Sequence, residues 1–352
     1  MAHNFEVIDA DGHITEEDNQ LKQYMDARYR DRAATLTPRD SWDRSIGGTL
    51  GTRARDARSW LDAMDRGGVS TAVLYPTNGL SVGWIREPDV AVAYSKAWND
   101  FVSEEFQKVS PRLKAVALVS FQDVPEAVKE LRRAVLELGM VGAVLTANNA
   151  ELGVRKPLGH TDFWPLYEEA ERLDVPIALH GAPSASLGIN FFTKFAQTHA
   201  LEHPIAQIIQ LTSMVMEGVF ERFPKLRVAY LEAGAGWVPY IMDRLDRSYE
   251  VWSGKKYKEF SDWLKKKPSE YIRGGQIYFN CEGGEVTLPY AMKRIGHRAV
   301  LFASDFPHET NIERAKHEIE ELMHHEELSD EAKQALFHDN IVRFYGPRAK
   351  LQ

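Results

Sequence analysis

The sequence predicts a parallel α/β fold, a (β/α)8 or TIM barrel, from three observations. Eight short apolar runs recur along the 352 residues, and nearly every one is followed by a stretch with helical spacing. Several of the runs also end in a residue able to bind a metal or carry a proton. Strand–helix alternation implies a parallel sheet covered by helices. Eight units over this length fit a closed barrel with insertions and a C-terminal tail. An open doubly wound sheet would call for a glycine-rich phosphate loop after an early strand, and neither G-x-G-x-x-G nor a Walker A pattern occurs.

The first run, from Phe5 to His13, places Phe5, Val7 and Ile8 ahead of Asp9, Asp11 and His13. Side chains alternate along a strand, so the three ionisable groups share one face. Burying them together needs a compensating charge, and a divalent cation is the simplest one. A strand end that opens into solvent at Gly12 is the plain alternative. Residues from about 14 to 55 are polar and aperiodic and read as an insertion within a single domain spanning 1–352. Apolar residues at helical spacing follow from Ala57 to Arg66, then a strand at Thr71–Tyr75 closed by Pro76.

A helix over about 88–108 leads to the third strand, Lys114–Ser120. Asp123, with Glu126 three residues on, opens the next helix as a capping pair. The remaining strands are Gly142–Thr146, Pro176–His180, Arg227–Glu232, Gln276–Glu282 and Ala299–Asp305. Helices over 162–173, 200–222, 236–252 and 286–295 separate them, and two more, 311–325 and 330–344, close the chain.

Composition narrows the setting. No stretch approaches the roughly 20 apolar residues of a membrane span, and the N-terminus lacks the pattern of a signal peptide. Cys281 is the only cysteine, which excludes an internal disulfide and a cysteine zinc cluster and favours the cytoplasm. A net charge of −8 without a dominant basic block argues against nucleic acid as partner.

Catalytic groups of such barrels sit at the C-terminal ends of the strands. Here the first strand ends in Asp11 and His13, the fifth in His180, the sixth in Glu232, the seventh in Glu282 and the eighth in Asp305. Singly, each has an ordinary explanation as a rim or capping residue. Five strands ending this way at one rim are hard to attribute to capping alone.

These residues belong to longer strings. Asp9-x-Asp11-x-His13, Leu179-His180-Gly181, Phe223-Pro224-Lys225-Leu226-Arg227-Val228 running to Leu231-Glu232-Ala233-Gly234-Ala235-Gly236-Trp237, and Ala303-Ser304-Asp305-Phe306-Pro307-His308 resemble the amidohydrolase superfamily. Within it, the likeness is to the branch of aminocarboxymuconate-semialdehyde decarboxylase and the γ-resorcylate-type decarboxylases. It runs from Val7 to about Tyr345 and includes Asp339 to Gly346. The resemblance implies one divalent ion, Zn²⁺ or alternatively Mn²⁺, held by Asp11, His13, His180 and Asp305. Asp11 stands where the usual pair has a histidine, which moves preference toward Mn²⁺. Glu232 stands where the decarboxylases carry a catalytic histidine. The fourth strand has no lysine, so a second metal is not expected. The branch also implies a homodimer.

The metal-bound water such a site creates favours hydrolysis of a small cyclic or aromatic substrate, with Asp305 as proton carrier, Glu232 as a second base outside the ligand set, and His308 binding substrate or donating a proton. Decarboxylation of an aromatic or unsaturated acid is the alternative, and a non-catalytic binding protein is the third. Glu232 makes the site less hospitable to anions than histidine would, so electrostatics lean to hydrolysis. Arg53, Arg55 or Arg58 reaching in from the insertion would reverse that lean. Trp42, Trp84, Phe191, Phe192 and Phe306 suit either a cyclic substrate or simple packing. His199 and His203 read slightly better as a helix start than as cavity residues, and the role of Glu282 stays open.

Overall fold

In the computed structural model, residues 5–30, 56–148, 156–182, 187–253, 263–308 and 310–351 are described. Among these residues nine strand segments follow one another around the sheet in chain order, all parallel. They are β1 Val7–Ile14, β2 Val69–Pro76, β3 Leu113–Ala115, β4 Ala117–Leu118, β5 Ala143–Thr146, β6 Ile177–His180, β7 Val228–Tyr230, β8 Ile277–Cys281 and β9 Val300–Phe302. The predicted third strand is thus two segments, because its pairing changes hands at Val116. The Val116 amide donates to Leu74 in β2 (3.3 Å), while that of Ala117 donates to Gly142, beside β5 (2.8 Å). At the other seam, Asp305 N–H donates to Asp11 (3.1 Å) and His13 N–H to Phe306 (2.7 Å), joining β1 to the chain beyond β9. Eight strand positions therefore form the TIM barrel of the sequence reading.

β5, β6, β7, β8 and β9 are buried at every position, which is why they read as unbroken apolar runs. Helices cover the outside. Asp56 caps Ala57–Gly67 through Ser59 N–H (2.7 Å), and Gly68 ends that helix with φ 75°. Asp123 caps Val124–Leu136 through Glu126 N–H (3.0 Å), as its spacing predicts. The expected helix over 200–222 is instead two, Glu202–Met216 and Val219–Arg222, with the break set by Gly218 at φ 81°, and a short helix Phe195–His199 precedes them. Among the described residues of the insertion are two single-turn helices, Asp18–Leu21 and Ala27–Arg30. The C-terminal helices return to the barrel, where Tyr345 Oη donates to Ala10 (2.6 Å). No helix among the described residues is long and apolar enough to cross a membrane.

One irregularity of β1 matters for the site. Between Asp9 and Gly12 it spends three steps against two in β2, a bulge that interrupts side-chain alternation. Asp9 consequently does not join Asp11 and His13, contrary to the sequence reading. Its carboxylate accepts from Ser304 N–H (2.9 Å) and Ser304 Oγ (2.5 Å), stitching β1 to the end of β9.

Candidate metal centre

His13 and His180 are fully buried, and each directs Nδ1 at a backbone carbonyl, Pro76 at 2.9 Å and Gly181 at 2.7 Å. Donation from Nδ1 leaves the Nε2 lone pair facing inward. The two Nε2 atoms then stand 3.0 Å apart. Asp11 lies across them, Oδ1 at 3.4 Å from His13 Nε2 and Oδ2 at 3.4 Å from His180 Nε2, and neither oxygen accepts a hydrogen bond. Asp305 Oδ1 is 3.5 Å from His13 Nε2 and Glu232 Oε1 is 3.6 Å from it. Inward lone pairs and an orphaned buried carboxylate are costly together without a cation. The donor set of imidazole and carboxylate fits a divalent ion.

The same shortage of positive charge moves the proton affinities. Burial raises Asp11, and raises Glu232 well above the usual carboxylate range. His13 is lowered well below its ordinary value by burial, with His308 and His180 adding to the effect. Burial also works against charging His180, but Glu232 and Asp11 outweigh it and push that ring up to about 9. A single positive charge among these groups is what they favour.

Glu232 and Asp305 follow the ends of β7 and β9 in left-handed backbone, φ 56° and 52°. Non-glycine residues held there cost about 1–3 kcal/mol each and collect at functional sites. Both are flanked by histidines. His308 Nδ1 is 2.8 Å from Asp305 Oδ1, its Nε2 is 2.9 Å from Thr77 Oγ1, and its ring stacks on His13 with centroids 3.9 Å apart. His203 Nδ1 is 3.1 Å from Glu232 Oε2. Glu232 Oε1 also lies 3.5 Å from both His180 Nε2 and His308 Nδ1, so Glu232 stands inside the cluster and not behind it.

The centre opens on a cavity of about 300 Å³ whose wall includes His199, His203, Glu232, Glu282, Asp305 and Arg314. Both His199 and His203 thus face the cavity, His203 from the first turn of a helix, as its sequence predicts, and His199 from the end of one. Of the predicted aromatic residues, Phe306 is buried edge-on against Trp60, Trp84 is half-buried, and Phe191 and Phe192 are exposed; none lines this wall. Arg58 is exposed on its helix, away from the wall. Trp42, Arg53 and Arg55 lie outside the described residues. Thr77, Asn280, Arg314 and Glu318 were not legible as site residues, because no local pattern distinguishes them.

The barrel and its polar rim define a class of metal-dependent enzyme. Residues 8–346 match the family described as Amidohydrolase, and the chain belongs to it. It is 28% identical over 292 residues to the γ-resorcylate decarboxylase of a Polaromonas species, covering 80% of this chain and 85% of that protein. The 2-amino-3-carboxymuconate-6-semialdehyde decarboxylase of Dictyostelium discoideum is 23% identical over 84% of this chain and 79% of its own. Among solved structures, the Polaromonas dihydroxybenzoic acid decarboxylase with bound manganese and 2-nitroresorcinol aligns with TM-score 0.75 at 22% identity, over 97% of this chain and 96% of that one. The chain is an enzyme of this family, and the relatives support decarboxylation better than the hydrolysis that the charge of Glu232 suggested.

Proposed function

We propose that the chain is a metal-dependent, non-oxidative decarboxylase of a small aromatic or unsaturated carboxylic acid. The observation that carries this reading is the orphaned Asp11 carboxylate between the two inward Nε2 atoms, in a cluster whose Glu232 and Asp305 line a cavity of one-ring size. Asp11, His13, His180 and Asp305 would hold one divalent ion. Two carboxylates among four ligands, together with the manganese of the Polaromonas structure, favour Mn²⁺ over Zn²⁺. When bound, the ion supplies positive charge that grips the substrate carboxylate and stabilises negative charge developing beside it.

The chain's own residues do the rest. Asp305, backed by His308, and Glu232, backed by His203, face the reacting end of the cavity as two proton-handling pairs. One proton passes to the carbon that loses its carboxylate, the electron pair of the broken carbon–carbon bond forms the new C–H bond, and CO₂ leaves. Glu282 and Glu318 on the wall are suited to accept hydrogen bonds from hydroxyl groups of the substrate.

Hydrolysis is the second reading, favoured by Glu232 where the decarboxylases carry histidine. The test loads the protein with Mn²⁺ or Zn²⁺ and offers aromatic carboxylates, lactones and amides. CO₂ release above background supports the decarboxylase; hydrolysis products without CO₂ overturn it. A cytoplasmic homodimer is the assembly proposed, and a monomer by light scattering at micromolar concentration would count against it.

A further inference from the structure

Glu232 holds its strained backbone in a turn that is gripped from three directions. Behind it, the fully buried Gln207 donates through Nε2 to both Leu179 and Leu231, each at 2.8 Å. One amide thus ties the residue before His180 to the residue before Glu232. Ahead of it, Asn280 Oδ1 accepts from Ala233 N–H at 3.3 Å. Beyond that, the carboxylate of Glu285, from the loop after β8, accepts from Ala235 N–H with its two oxygens at 3.0 and 3.2 Å, and from Gly236 N–H. Charge-assisted bonds to successive amides are the strong member of this set.

The glycines show how closely the grip is fitted. A Cβ on Gly236 would meet Glu285 Oε1 at 2.9 Å and Thr287 Oγ1 at 2.1 Å. Gly234 has φ +63°, and a Cβ there would touch both Glu285 oxygens at 3.3 Å. Only glycine lets the carboxylate lie flat on the turn.

We propose that Glu285 is a positioning residue for the metal centre: by fixing the 233–236 turn it keeps Glu232 in left-handed backbone, with its carboxylate against His13, His180 and His308. Removing Glu285 lets the turn relax toward an unstrained backbone and swings Glu232 out of the cluster. This rests on the metal reading above, and the test separates the two.

Apo protein is titrated with Co²⁺ alone, and the visible absorption of the bound ion reports its ligand geometry. Outer partners of metal ligands typically contribute about 10–100-fold in metal affinity. Glu285→Ala is expected to weaken Co²⁺ binding by about that factor and to change the spectrum. Glu285→Gln, which retains one acceptor oxygen, restores part of both. In a Glu232→Gln background Glu285→Ala should do little more, because a residue acting through another shows non-additivity. If Glu285→Ala does not fold, the Gln variant and its cycle with Glu232→Gln give the same reading. A folded Glu285 variant with parental affinity and spectrum overturns the proposal alone, as does a loss of equal size in both backgrounds. A parent chain that takes up no Co²⁺ overturns the metal reading and this proposal with it.

Discussion

His13 Nε2 and His180 Nε2 face each other at 3.0 Å while both Nδ1 atoms point at backbone carbonyls. With both rings neutral that arrangement has two acceptors and no donor, and one positive charge, a proton on His180 or a metal ion, resolves it. Mn²⁺ should therefore raise the unfolding temperature of the metal-stripped protein. Free ion at 100 times its Kd contributes about 2.7 kcal/mol. His180→Ala should abolish the response, measured by thermal unfolding with and without metal. A variant that still responds fully would remove His180 from the ligand set.

The two rim carboxylates are expected to separate on mutation. Asp305→Asn keeps the shape of the side chain but removes its proton chemistry, and general acid–base groups typically contribute about 10²–10⁴-fold. A kcat loss of that size is expected, with weaker metal binding. Glu232→Gln should lower kcat and weaken metal affinity by about 10–100-fold, as loss of an outer partner does, while metal content at saturating ion stays near stoichiometric. Metal analysis beside kinetics decides. An empty site in Glu232→Gln with a filled one in Asp305→Asn would exchange the two roles.

Much of this was legible in the sequence, for a physical reason. Parallel barrel strands are buried on both faces, so β5 to β9 appear as bare apolar runs, and their C-terminal residues announce the rim. The break at Val116 was not legible, because it depends on which neighbours lie on either side. Asp9 was misplaced because period-2 alternation fails at a bulge that only the pairing with β2 reveals. Glu285 and Gln207 escaped notice because the groups they hold, at 235–236 and at 179 and 231, are far away in the chain. The lean to hydrolysis came from one charge considered by itself, whereas burial beside His203 and His308 raises Glu232 well above the usual carboxylate range and so disfavours that charge in the folded site.

Gly181 offers a test of the pairing behind Glu232. A Cβ there would lie 2.4 Å from His203 Cγ and 2.7 Å from its Nδ1, so the ring has to move. Gly181→Ala should cost about 1–3 kcal/mol, the usual range for overpacking, and should pull His203 from its 3.1 Å contact with Glu232. Denaturant unfolding and kcat together check this. Full stability with unchanged kcat would show that His203 does not serve Glu232.

Glu16 is a buried acid whose effect is on stability. Its oxygens accept from Gly79 N–H (2.6 Å) and Thr77 N–H (3.1 Å), pinning the loop after β2. Burial nonetheless pushes its pKa up to about 7, from 4.5. The folded state thus binds this proton more tightly than the unfolded chain does, and stability falls with rising pH in that window. The contribution is fully present below about pH 4.5 and is lost as pH rises through about 7. A displacement of that size corresponds to roughly 3 kcal/mol at most. Glu16→Gln cannot titrate, so its unfolding free energy should be flatter than the parent's between pH 5 and 8 by an amount of that order. Urea unfolding of both proteins across the window, metal-free so that the rim groups contribute equally, isolates the difference. Parallel curves would mean that Glu16 keeps its charge in the fold and that the amides of Thr77 and Gly79 fully offset its burial.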